Sequence, residues 1–442
     1  MTERTDDAIW NAVTQRLSAV EAYIPSAPVW RPEGEPMARP IVRLVSGTAF
    51  GRKTTLVRRT SMAWGLGLLA LAVALAGAAI LAGLGRHPTP SPLRPTGSMS
   101  VYRYLQSATL LADGRVLMIG GTDQNVNFSD ATRRTAELYD PNTGVFSTTG
   151  SMLKVRVQPV ATRLHDGRVL VLGGTNEGGS VPSMDKSAEL YDPTAGTFTP
   201  TGSMAVARGA PTATRLSDGK VLVLGGNPVG PSALALASAE IYDPASGVFS
   251  PTGSMHRSRS HPVATPLLDG RVLVTGGDPS GAIPGPDAEV FDPATGRFTS
   301  LALTLPGDIG RQAVLLHDGR VLLLGGTGIE TDAAEVFDPV TGTVASVGPM
   351  AQPALFFVPT LLPDGRVLIT GGQATAPFLV EIFDPATNRF SHVPGLTTPT
   401  FSSATVLTTG DVLIAGGFGE PPGDSMNTAF LLDSNIKGEP VP

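Results

Sequence analysis

Residues 161–174 read ATRLHDGRVLVLGG, and residues 188–198 read AELYDPTAGTF. In the first stretch two short runs of strand-forming residues flank Asp166-Gly167. Asp-Gly is the strongest short hairpin signal, because both turn residues take positive φ. The run Val169–Leu172 is apolar on both faces, as expected of a strand packed on both sides. Gly173-Gly174 ends it, at a point where neighbouring backbones can approach. The second stretch reads as another hairpin, turning through Pro193 to Gly196, with Gly196 in the left-handed position. Together the two stretches predict four consecutive antiparallel strands, A to D.

The unit recurs to the end of the chain. Its Gly-Gly pair stands at 120–121, 173–174, 225–226, 276–277, 325–326, 371–372 and 416–417. The Asp-Gly turn recurs in six copies, and Thr409-Gly410 replaces it in the last. An aromatic residue precedes the Asp of the second hairpin at Tyr139, Tyr191, Tyr242, Phe291, Phe337 and Phe383. In the sixth copy Asn388 takes the left-handed place, and Asn tolerates that conformation best after Gly. A period of about 50 residues with β patterning predicts an all-β, seven-bladed β-propeller over residues 95–442. The seventh copy lacks its fourth strand. The orphan segment Pro95–Met99 is expected to supply it, closing the ring and removing exposed edges.

Residues 62–85, MAWGLGLLALAVALAGAAILAGLG, carry no charge. As a helix they are long enough for a hydrocarbon core of about 30 Å, which predicts a single transmembrane helix in the lipid bilayer. Arg43, Arg52, Lys53, Arg58 and Arg59 precede it, whereas Arg86, Arg94 and Arg103 follow. That bias places the N-terminus in the cytoplasm and the propeller outside the cell membrane. Residues 86–94 read as a Pro-rich stalk. In the short cytoplasmic tail, Ile9, Trp10, Val13, Leu17, Val20 and Ile24 mark an amphipathic helix over about residues 7–24, a docking helix for a cytoplasmic protein or the membrane surface.

Net charge is −6, which argues against nucleic-acid binding. The chain has no Cys, which removes disulfides, thiolate metal sites and thiol catalysis.

The doubled glycines and strand periodicity resemble kelch repeats, above all the seven-bladed propeller of galactose-oxidase-type proteins. The resemblance covers residues 95–442. One departure is that Phe stands where the kelch unit usually carries Trp; Trp10, Trp30 and Trp64 all lie outside the repeats. The resemblance implies a copper radical centre built from two histidines, two tyrosines and a cysteine cross-linked to one tyrosine. With no Cys, and only Tyr102 and Tyr104 outside the repeat-motif positions, no catalytic constellation, metal or cofactor is expected.

Repetition separates frame from site. Glu137, Glu189, Glu240, Glu289, Glu335 and Glu381 recur in strand C as structural carboxylates. Arg103, Arg156, Arg208 and Arg259 each stand four after a Met. They either pair with those glutamates or ring the channel mouth and attract an anion. The D–A and B–C connections share one face, the expected ligand surface. Its non-repeated candidates are Asp123, Asn125, Asn127, Asn176, Glu177 and His261. The first reading is an extracytoplasmic recognition module that binds a protein or glycan ligand through this face. An alternative is a metal-dependent or other propeller enzyme, of oxidase or lyase type, around His256, Arg257, Arg259 and His261. A second is a signalling receptor coupled to a cytoplasmic partner.

Overall fold

The computed structural model describes residues 92–123, 133–176, 183–228, 234–277, 288–302, 309–326, 332–353, 357–372, 379–419 and 425–440. The expected tail helix, the membrane span and most of the stalk lie outside these residues. Among the described residues no helix is long and apolar enough to cross a membrane.

The fold is an all-β, seven-bladed β-propeller. Each blade is an antiparallel sheet in the order A-B-C-D, as in Thr212–Arg215, Val221–Leu224, Ala239–Asp243 and Val248–Pro251 for blade three. Strand B is fully buried in every blade, for instance Val169–Leu172 and Val221–Leu224. Its side chains fill both neighbouring interfaces: Val169 and Val171 pack toward blade one with Leu117 and Ile119, while Leu170 and Leu172 pack toward blade three with Val221 and Val223. The core is therefore a ring of inter-blade layers.

The motif residues lock blade to blade. The Gly150 amide donates to the Gly196 carbonyl oxygen at 2.9 Å, and the Gly202 amide to that of Gly247 at 2.9 Å. A β-carbon on Gly150 would collide with the Gly196 oxygen, so this approach needs glycine. Beside it the Thr149 and Tyr191 hydroxyls lie 2.9 Å apart. The Thr-Gly-Ser-Met segment of one blade thus grips the Tyr-Asp-Pro turn of the next. Tyr191 stacks tilted on Phe198, centroids 4.8 Å apart, and the aromatic pair recurs at the same place in other blades.

Blade seven joins the two ends of the repeat region. Its outer strand is Leu93–Pro95, paired antiparallel with Ala429–Leu432 as Leu93↔Leu432, Arg94↔Leu431 and Pro95↔Phe430. Strand pairing begins two residues before the expected segment, so Leu93 and Arg94 belong to the propeller and not to a stalk. The reason is local: Leu93 packs on the blade-seven core, and Arg94 Nη2 meets Asp411 Oδ1 at 2.7 Å.

Candidate ligand-binding face

The D–A connections and the starts of the B–C loops meet on one face. Isolated antiparallel bridges tie Tyr104 to Thr122, Val157 to Thr175, Gly209 to Asn227 and Thr400 to Phe418.

Beneath that face lies a repeated ion-pair network. Arg156 is fully buried; its Nη1 donates to the Gly173 carbonyl at 2.9 Å, and its Nη2 to Ser187 Oγ at 2.9 Å and to Glu189 Oε1 at 3.1 Å. Arg103 with Glu137, Arg208 with Glu240 and Arg259 with Glu289 repeat the pairing at 3.0, 3.0 and 3.5 Å. The second carboxylate oxygen holds the D–A connection, as Glu240 Oε2 accepts the Ala205 amide at 2.7 Å. Burial pushes the guanidinium groups of Arg103 and Arg208 below their ordinary values, with Glu137 and Glu240 opposing the shift. All four arginines are 0% exposed. They are therefore frame residues and form no anion ring at the channel mouth, because they are fully buried and their Nη1 donors are turned to the Gly-Gly carbonyls within each blade.

Blades five to seven depart from the pattern. In blade five Arg311 supplies the cation, 3.3 Å from Glu335. It stands seven residues before its turn Asp, not ten, so spacing alone did not reveal it. In blade seven the arginine place holds Pro399 and the glutamate place Phe430, so the pair is absent as a pair. In blade six the arginine place holds Ala354, yet Glu381 remains. This carboxylate is 0% exposed and accepts the Ala351 and Gln352 amides at 2.8 and 3.2 Å. Burial pushes it up to about 7, against those two hydrogen bonds and with Asp332 adding to the rise.

The residue two after each arginine is left-handed whatever its type: Leu105, Gln158, Ala210 and His261 at φ 56, 54, 44 and 53°, with Phe401 at 56° in blade seven. Such a conformation costs a non-glycine residue roughly 1–2 kcal/mol. The kink presents the carbonyl two residues earlier to the neighbouring blade, where the Gly226 amide donates to Arg259 O and the Gly417 amide to Arg103 O, both at 2.8 Å.

At the seam of blades seven and one this repeated framework carries different side chains. Tyr104 replaces the Val157, Gly209 and Ser260 of blades two to four, and Phe401 and Phe418 stand where other blades hold mostly small or polar residues. Tyr104 and Phe418 lie with centroids 4.1 Å apart and planes at 42°; Phe401 meets Phe418 edge-on at 5.9 Å. All three rings are half-buried, and Tyr102 beside them is 43% exposed. Ser425 Oγ donates to Asp123 Oδ1 at 2.6 Å, clamping the first B–C loop to the last across the seam. Phe418 also bridges Ser425 through its backbone, so rings and clamp form one unit.

Of the other expected residues, Asp123 points inward into that clamp. Asn125, Asn127 and Glu177 lie outside the described residues; Asn176 lies in the short strand Thr175–Asn176, with its side chain not described. The enzyme cluster divides. His256 Nδ1 and its amide both meet Glu289 Oε2, at 2.9 and 2.7 Å, whereas His261 Nδ1 lies 2.9 Å from Ser260 Oγ. Among the described residues no three His, Asp or Glu are grouped to hold a metal. With Cys absent from the chain, the donors present do not fit the copper radical centre of the resembled family.

No protein-family model matches the sequence, and no curated protein matches it. The structure is similar to that of a fungal alcohol oxidase of the AA5 family in complex with copper, at TM-score 0.62 and 20% identity, over 77% of this chain and 76% of that one. At that identity the likeness establishes the propeller fold and leaves the activity to be argued from the site.

Proposed function

We propose that the chain is a membrane-anchored recognition module that holds a glycan against the aromatic seam of blades seven and one. The single observation behind this reading is the cluster of Tyr104, Phe401 and Phe418, half-exposed beside the Asp123–Ser425 clamp. Aromatic faces take up the apolar faces of sugar rings, and a pre-formed cradle lowers the cost of ordering on binding. The low aromatic content of the repeats favours a protein ligand when residues are only counted; the gathering of these rings at one seam favours a glycan. Residues 62–85 would anchor the propeller outside the membrane, and residues 7–24 would face a cytoplasmic partner. The fungal neighbour's copper and alcohol oxidation are not carried over, because at 20% identity the likeness supports the fold alone.

The test is a glycan panel against the full chain in detergent, read by thermal shift and then by titration calorimetry. A ligand whose affinity falls about tenfold in Tyr104→Ala and Phe401→Ala, at unchanged melting temperature, supports the reading. Equal affinity in wild type and both variants would remove the seam from consideration.

A further inference from the structure

The face of Asp-Gly turns, opposite the aromatic seam, holds a cavity of about 300 Å³ lined by His165, Arg215, Ser217, Pro266 and Gly270, and thus by blades two, three and four. The repeat makes its unusual residues visible. Three positions before the turn, the other five blades carry Leu110, Pro266, Leu315, Leu361 and Val406, whereas blades two and three carry Arg163 and Arg215. These two arginines occupy the same strand position in neighbouring blades, so like charges stand side by side.

Neither guanidinium meets a carboxylate among the described residues. Arg215 Nη1 donates to the Arg163 carbonyl oxygen at 3.3 Å, which brings its charge back toward blade two. The carboxylates of the adjacent turns are occupied: Asp166 by Arg168 at 2.7 Å, Asp218 by Lys220 at 3.5 Å, and Asp269 by Arg271 at 2.6 Å. Both free arginines are half-buried, where a charge is less screened than at the open surface. His165 and Ser217 are exposed at the rim, the latter 3.5 Å from where a Gly270 β-carbon would stand.

We propose that this cavity binds a small oxyanion, a phosphate or carboxylate group. The Arg215 guanidinium provides the planar, multi-donor contact that such groups take best. Arg163 adds positive potential from blade two, and the Ser217 hydroxyl and His165 ring supply rim hydrogen bonds. The site is independent of the aromatic seam, so the two readings stand or fall separately.

The experiment is a titration of the full chain in detergent with inorganic phosphate and, in a second arm, with acetate, at ionic strength held constant by chloride. The expected result is a saturable rise in melting temperature with at least one of them, weakened about tenfold or more in Arg215→Leu and less in Arg163→Leu. Leucine is the residue that blades one, five and six carry at this position. The response should be unchanged in Tyr104→Ala. No response beyond chloride in either arm, or undiminished binding in Arg215→Leu, would overturn the proposal. If Arg215→Leu does not fold, the double variant His165→Gln/Ser217→Ala, at two exposed positions, is measured instead, and wild-type affinity there overturns it equally.

Discussion

Glu381 makes the stability of this propeller depend on pH in a direction opposite to that of most carboxylates. Its native value of about 7 lies above the ordinary 4.5, because burial disfavours the charge and no arginine offsets it. The native state therefore holds a proton that the unfolded chain releases. Stability contributed by this proton is fully present below about pH 4.5 and is lost as pH rises through about 7. The gap of roughly 2.5 units corresponds to about 3 kcal/mol. Glu381→Gln removes the titration and keeps an acceptor for the backbone amides. Urea unfolding of both proteins between pH 5 and pH 8 isolates the group, since other titrations cancel in the difference. The variant should gain up to about 3 kcal/mol on wild type across that range, most of it before pH 7.5. Ala354→Arg, which restores the residue that blades one to four carry at this place, should flatten the same slope while leaving Glu381 ionised. A stability difference between Glu381→Gln and wild type that stays constant with pH would refute the reasoning.

Arg156→Ala leaves Glu189 buried without its cation and should cost about 3–5 kcal/mol by urea unfolding, far more than Arg297→Ala at an exposed site. Deleting residues 93–95 removes the outer strand of blade seven and should lower the melting temperature of the whole propeller in one transition; a separate, smaller transition for blade seven alone would count against ring closure as a shared support. Asn388→Gly relieves a left-handed residue at φ 53° and should change stability by less than about 1 kcal/mol, whereas Asn388→Val should destabilise by more, both read from thermal melts.

The frame was legible because its causes are local. The Gly-Gly pair, displayed seven times, and the Asp-Gly turn and Tyr/Phe-Asp-Pro hairpin, displayed six times each, fix the backbone within a few residues, although in the Asp-Gly turns only the glycine takes positive φ. The arginine–glutamate pairing was half legible: the two residue types recur at fixed spacing, but their burial depends on strand B lying between them. Arg311 escaped because it enters the same slot from a shifted position in its chain. The aromatic seam was not legible at all. Tyr104 and Phe418 are separated by nearly the whole repeat region, and only ring closure makes them neighbours. A missing strand predicts closure of the ring but carries no signal of the side chains that closure brings together.

The strand Leu93–Pro95 has a mechanical consequence. A load transmitted through the chain before residue 92 enters the propeller at this strand, which pairs with its neighbour over three residues. Blades one to five are each built from one continuous stretch of chain, and blade six adds only the short strand Glu439–Pro440 beside Arg389–Thr397, so none of them carries such a load directly. Blade seven is then the fuse of the ring, and the seam beside it is where tension on the preceding chain would first be felt.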